Sequence, residues 1–185
     1  MRLRTFFWVV TWLLVLAVFG ILLGLRSYRV FTQEQLVAVV QCEPAPRGSP
    51  QHFLLRIVPY DDALARPVQQ FPMYGDQWSI GGDILKWHPW LNLLGVKTCH
   101  KLTRLSSRYL DPAAERGGPR SVYELNGGVG PFWRALYWLG SWIPFVEAVY
   151  GNAAYVMARP GTRWGVYVTL SGYLVKPLLP VRNRP

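Results

Sequence analysis

The sequence predicts an α+β protein: one N-terminal transmembrane helix followed by a mainly antiparallel β domain, small barrel or sandwich-like, with a hydrophobic, Trp-rich helical insertion. Three observations lead there. Residues 5–25 (TFFWVVTWLLVLAVFGILLGL) form an uncharged run of 21 residues, and at about 1.5 Å per residue such a helix crosses a hydrocarbon core of about 30 Å. Beyond residue 30, short β-branched and aromatic runs alternate with Pro and Gly clusters, the pattern of strands joined by turns. Nine Trp are present and seven lie beyond residue 70, so the aromatic surplus belongs mainly to the domain and not to the anchor. With 185 residues, 51% hydrophobic and 16% charged, the chain is too apolar to be disordered and short for two domains. We therefore expect a membrane anchor over 1–29 and a single aromatic-rich β domain over 30–185.

The anchor is bracketed by Arg2 and Arg4 on one side and by Arg26, Tyr28 and Arg29 on the other, the cationic and aromatic residues expected at headgroup level. A cleaved signal peptide is the competing reading. Its apolar region usually spans about 7–15 residues and ends in a small-x-small site, whereas this run is longer and passes directly into Arg26. Three positive groups precede the helix, counting the amino terminus, against two just after it, a slight lean toward a periplasmic domain. The whole chain carries +10, of which +6 falls beyond residue 29, a charge equally suited to an anionic leaflet. Cys42 and Cys99 are compatible with either a disulfide or two free thiols.

Segment 35–43 (QLVAVVQCE) is rich in strand-forming residues, and Pro44, Pro46, Gly48 and Pro50 end it before a second strand over 52–58. These two should pair. Segment 66–74, with two prolines, suits an edge strand, and Gly75-Asp76 turns the chain into 77–87 (QWSIGGDILKW), which Gly81-Gly82-Asp83 interrupts as a tight turn or bulge. Segment 88–95 reads as one or two helical turns, with Pro89 near the start and Gly95 at the stop. As a helix, 97–109 would gather Lys97, Lys101, Arg104 and Arg108 on one face; as a strand it would divide them, and its Ser106-Ser107 pair favours the strand.

Segment 111–120 reads as a polar loop and 121–126 as a short strand. Residues 131–150 (PFWRALYWLGSWIPFVEAVY) read as a helix kinked or broken near Ile143 by Pro144, with Trp133, Leu136, Tyr137 and Gly140 on one stripe and more apolar residues around it. A β-hairpin over 153–158 and 164–170 follows, then a last strand through Val175.

No catalytic, cofactor or metal site emerges. His52, His88 and His100 lack ligand spacing, and two cysteines cannot complete a four-ligand zinc site. Asp76 and Asp83 neighbour glycines and suit turn roles, while Gly127–Gly130 lacks the Lys-Ser/Thr of a phosphate loop. The candidate contacts are instead physical. Trp90, Trp133, Trp138 and Trp142 suit the membrane interface or a partner's transmembrane helices. Arg26, Arg29, Lys97, Lys101, Arg104 and Arg108 suit phospholipid headgroups or acidic partner residues. Nucleic acid is not expected beside an anchor.

The strings Tyr74-Gly75-Asp76-Gln77-Trp78, Leu85-Lys86-Trp87-His88-Pro89-Trp90, Asn92-Leu93-Leu94-Gly95, Leu102-Thr103-Arg104-Leu105-Ser106 and Tyr150-Gly151-Asn152-Ala153-Ala154-Tyr155 resemble a family of small, single-pass gammaproteobacterial membrane proteins often labelled "cation/multidrug efflux pump". The resemblance spans roughly 70 to 170 and implies an inner-membrane protein. One membrane helix supplies no transport path, and no site residue follows from the likeness. The expected function is that of a non-catalytic interaction or accessory protein of an inner-membrane complex, its domain held against the bilayer, with an integral membrane partner or self-association. The alternative is a domain that binds a lipid or amphiphile between its sheet and the 131–150 helix; a lipid-acting enzyme ranks third.

Overall fold

The computed structural model describes residues 2–49, 51–61 and 64–178. An apolar N-terminal helix, α1 (Arg2–Phe31), leads into mainly antiparallel sheets. Its span Arg4–Val30 is long and apolar enough to cross a bilayer, or to serve as a signal sequence, and is not buried against the rest of the chain. The helix continues past its apolar run through Arg26 and Arg29, and Thr32 closes it by hydrogen bonds from its backbone N–H and its hydroxyl to the Tyr28 carbonyl.

Ten strands follow among the described residues. One sheet contains β1 (Gln35–Pro44), β2 (Phe53–Asp61), β3 (Leu64–Ala65), β4 (Gln69–Met73), β9 (Arg163–Thr169) and β10 (Gly172–Pro177), in the order β10-β9-β1-β2-β3 with β4 also on β2. The other contains β5 (Gln77–Trp87), β6 (Cys99–Arg108), β7 (Val122–Glu124) and β8 (Val146–Met157), in the order β7-β6-β5-β8. The expected pairing of 35–43 with 52–58, the Pro-bearing edge strand and the strand form of 97–109 are all present. A bulge interrupts the β5–β6 register between Gly81 and Gly82. Glycine is required there, since a Cβ on Gly82 would stand 2.8 Å from the Leu102 Cα.

One buried cluster draws on both sheets: Val40, Leu55, Ile57 and Val166 from the first, Trp78, Ile80, Ile84 and Leu105 from the second. The period-2 alternation of β5 explains the division, with Trp78, Ile80 and Ile84 turned inward and Ser79, Gly81 and Asp83 outward. The barrel does not close. Among the described residues no strand ladder joins the two sheets, and side chains link both seams. The Tyr123 hydroxyl donates to the Pro72 carbonyl at 2.7 Å on one side, and Asn152 Oδ1 accepts from the Tyr173 N–H at 2.8 Å on the other.

Three sequence expectations are corrected. Segment 111–120 contains a short helix, α3 (Pro112–Gly117), because the Asp111 carboxylate accepts from the N–H groups of Ala113 and Ala114 and Pro112 sits in its first turn. The 131–150 helix is shorter than read: α4 (Pro131–Leu139) tightens into a 3₁₀ turn over Gly140–Trp142, and Val146–Tyr150 already belong to β8. The hairpin over 153–170 does not form. β8 pairs with β5 while β9 pairs with β1 and β10, so residues 158–162 cross between sheets, with the Gly161 N–H donating to the Cys42 carbonyl. Cys42, buried in β1, and Cys99, exposed at the start of β6, are both free thiols.

Candidate functional site

Antiparallel pairing places the site. Trp87 at the end of β5 lies opposite Val146 at the start of β8, so the segment after one strand meets the segment before the other. The former is α2 (Pro89–Leu93), the latter the α4–3₁₀ unit, and the His88 N–H donates to the Phe145 carbonyl at 2.9 Å to tie them. The base of α1 arrives at the same end. Arg26 Nε donates to the Leu93 carbonyl at 2.7 Å, and a shallow cavity at the junction is lined by Val30 and Gln33 together with Asn92, Gly95, Lys97 and Val168.

Each short element is held locally. In α2, Pro89 occupies the first turn, the Leu94 N–H returns to the Trp90 carbonyl, and Gly95 at φ +99° ends the turn with its N–H on the Asn92 carbonyl. In α4, Gly130 and Pro131 start the helix, Trp133 is only 6% exposed, and the Tyr137 hydroxyl donates to Asp83 Oδ1 at 2.7 Å. Gly140 allows the close approach, since a Cβ there would meet Val149 Cγ2 at 2.9 Å. The helix thus lies directly on the outer face of the β5–β8 pair.

The outward side of these elements is strongly apolar. Trp142 is 83% exposed and Trp138 78%, and Trp90, Leu94, Phe132 and Phe145 are also exposed. Three of the four expected aromatic contacts, Trp90, Trp138 and Trp142, therefore stand outside the domain at the end where α1 leaves it. Trp133 is corrected to a packing residue, because the helical spacing that joins it to Tyr137 turns both toward the sheet.

The six cationic candidates divide. Arg26, Arg29 and Lys97 lie about the base of α1, where the acids Glu34 and Glu147 are each ion-paired to a lysine, at 2.6 Å to Lys176 and 2.6 Å to Lys86. Lys101 sits beside the start of α4, its Nζ 3.5 Å from where a Cβ on Gly130 would be. Arg104 and Arg108 lie farther along β6. At about 3.3 Å per residue, Arg108 is about 30 Å along the strand from Cys99.

Asp83 is not the turn residue the sequence suggests. It sits inside β5, 4% exposed, with Oδ1 on Tyr137 and Oδ2 buried without a hydrogen-bond partner. Burial first, then the hydrogen bond and charge of Asp83, pushes the Tyr137 hydroxyl well above the usual tyrosine range. Nothing local in the sequence links residues 83 and 137. Asp76 does take a turn role, accepting the Leu110 N–H at 3.0 Å. The three histidines stand apart, His52 on the Gly75 backbone, His88 beside Trp90 and His100 against the Tyr173 ring edge. Among the described residues no group of three or more His, Cys, Asp or Glu could hold a metal.

No family model matches this chain, and no curated protein or solved structure does.

Proposed function

We propose that this protein is a membrane-anchored, non-catalytic interaction or accessory module of a bacterial inner-membrane complex, its β domain held against the bilayer by more than its single helix. The observation that carries the reading is the coincidence of Trp90, Trp138 and Trp142 with the base of α1 at one end of the sandwich. Indole rings favour the headgroup boundary, where the ring leaves water and the N–H stays near it. Arg26, Arg29 and Lys97 at the same end add attraction to anionic lipid of about 1 kcal/mol each near the surface. The Arg26 bond to Leu93 makes the base of the apolar helix part of the folded domain, which favours a retained anchor over a cleaved signal.

The direct seating of α4 on its sheet, through Trp133, Tyr137 and Gly140, favours this reading over an amphiphile held between helix and sheet. The charge balance around α1 leans toward a periplasmic domain, and the resemblance to single-pass gammaproteobacterial proteins agrees with the inner membrane.

The test uses the full chain in lipid nanodiscs containing brominated acyl chains. Quenching of Trp fluorescence is expected, and W138S/W142S should lose about two-thirds of the quenchable emission contributed by the domain, since Trp90 alone of its three exposed tryptophans remains. Equal quenching in the wild type and the double variant would remove the basis of the proposal. A C-terminal topology fusion then assigns the side of the membrane.

A further inference from the structure

We propose that the outer face of the four-stranded sheet carries a binding site for a small phosphate-bearing ligand, seated on Ser79 and Ser106 and held by Arg104 and Arg108. The site is separate from the aromatic end and does not depend on which surface meets the bilayer. Alternation along β6 turns Arg104, Ser106 and Arg108 to the same face. Across the ladders, Ser79 lies opposite Ser106 and Tyr155, and Gly81 opposite Arg104 and Ala153. The middle of this lattice is therefore made of two serines, a glycine and an alanine, while its border is made of long side chains. The result is a trough of about 430 Å³, within the usual span of small-molecule sites, about 300–1,000 Å³.

The electrostatics are one-sided. Among the described residues lining the trough the one acid, Glu115, is already engaged: its carboxylate pairs with Arg120 at 2.7 Å and accepts the Tyr109 N–H at 2.7 Å. Glu124 faces Arg104 across the β6–β7 ladder, but its carboxylate lies against Gly128. No ion pair to Arg104 or Arg108 occurs among the described residues. The Arg108 guanidinium lies over the Tyr155 ring, 5.7 Å from its centroid, a contact that places the cation while leaving N–H donors for an anion.

Beneath them, Ser79 Oγ and Ser106 Oγ are 2.8 Å apart. Ser79 Oγ also lies 3.4 Å from the Ser106 carbonyl, so the hydroxyl left for a ligand is that of Ser106, which keeps its own hydrogen for a third oxygen when Ser79 donates to it. Two planar guanidinium forks and a hydroxyl donor match the several acceptor oxygens of a phosphate better than a single carboxylate does. The floor cannot be filled from below, because a Cβ on Gly81 would meet Ala153 Cβ and the Asn152 carbonyl, both at 2.9 Å. Gly81 lies six residues before Trp87, about 20 Å up the strand from α2, and two residues before Asp83, on which Tyr137 of α4 rests.

The test is calorimetric titration of the full chain in uncharged detergent with inorganic phosphate, glycerol 3-phosphate and dioctanoyl phosphatidic acid. Phosphate and glycerol 3-phosphate should bind with Kd of about a millimolar or tighter, and R104Q/R108Q should weaken both at least about tenfold. R163Q, which removes an exposed cation from the other sheet, should leave binding within about twofold. A153L, which fills the trough without changing charge, should reproduce the loss and keeps the proposal testable if the double variant does not fold. Equal losses in R163Q and R104Q/R108Q would overturn it, as would the absence of binding in the wild type. Binding of phosphatidic acid alone, insensitive to Arg104 and Arg108, would assign the signal to membrane adhesion and also overturn it.

Discussion

Tyr137 and Asp83 are 54 residues apart in sequence and 2.7 Å apart in the structure, and that contact, with buried Trp133 and the close approach at Gly140, seats α4 on its sheet. The second Asp83 oxygen is already buried without a partner, so removing the tyrosine hydroxyl strands the whole carboxylate. Y137F should cost about 1–3 kcal/mol, read as a lower urea midpoint for the domain at neutral pH. The pH dependence has a definite sign. Both states keep the Tyr137 proton below the ordinary tyrosine value of about 10, and above it the unfolded chain ionises while the folded one resists. The wild type should therefore lose stability as pH rises past about 10, and Y137F should lose less over that range. The sequence reads Asp83 as a turn residue and Tyr137 as part of a helical stripe, and residue type alone does not say that they meet.

Among elements, the short ones show where local chemistry suffices and where it does not. α2 follows directly from Pro89 and Gly95, whose backbone preferences start and stop a single turn and a half. α3 was equally available, since Asp111-Pro112 followed by Glu115 is a helix start, yet its polar, Gly-rich surroundings read as a loop. D111A should remove two side-chain hydrogen bonds to the first turn and lower stability by about 1 kcal/mol, seen as a drop in thermal midpoint. The boundary at 143–146 was only half legible. Pro144 marks the break, but the apolar run beyond it fits helix or strand equally until β5 supplies a partner for Val146 through Met157. That partner is why 146–150 form a strand and why β8 does not fold back on β9.

In the molecule as a whole, the two sheets share one core, no ladder joins them among the described residues, and side chains bridge the seams. Asn152 reaches from β8 to the backbone of Tyr173 in β10, so N152A should leave the core intact but open that seam. Amide hydrogen exchange in β10 should accelerate by about tenfold or more while exchange in β5 stays unchanged. The sequence by itself determined the apolar N-terminal helix, the β-rich chain beyond it, the β1–β2 pairing, the interruption of β5 at Gly81-Gly82 and the helix starts at Pro89 and Pro131, because each rests on periodicity or on backbone preferences of neighbouring residues. Only the tertiary structure decided that Trp90, Trp138 and Trp142 share one end with the base of α1, that Trp133 turns inward, and that Arg104 and Arg108 border a trough farther along the same sheet. Those placements depend on which strands pair and in what register, and pairing between distant segments is set by burial of a common core that no local stretch of sequence contains.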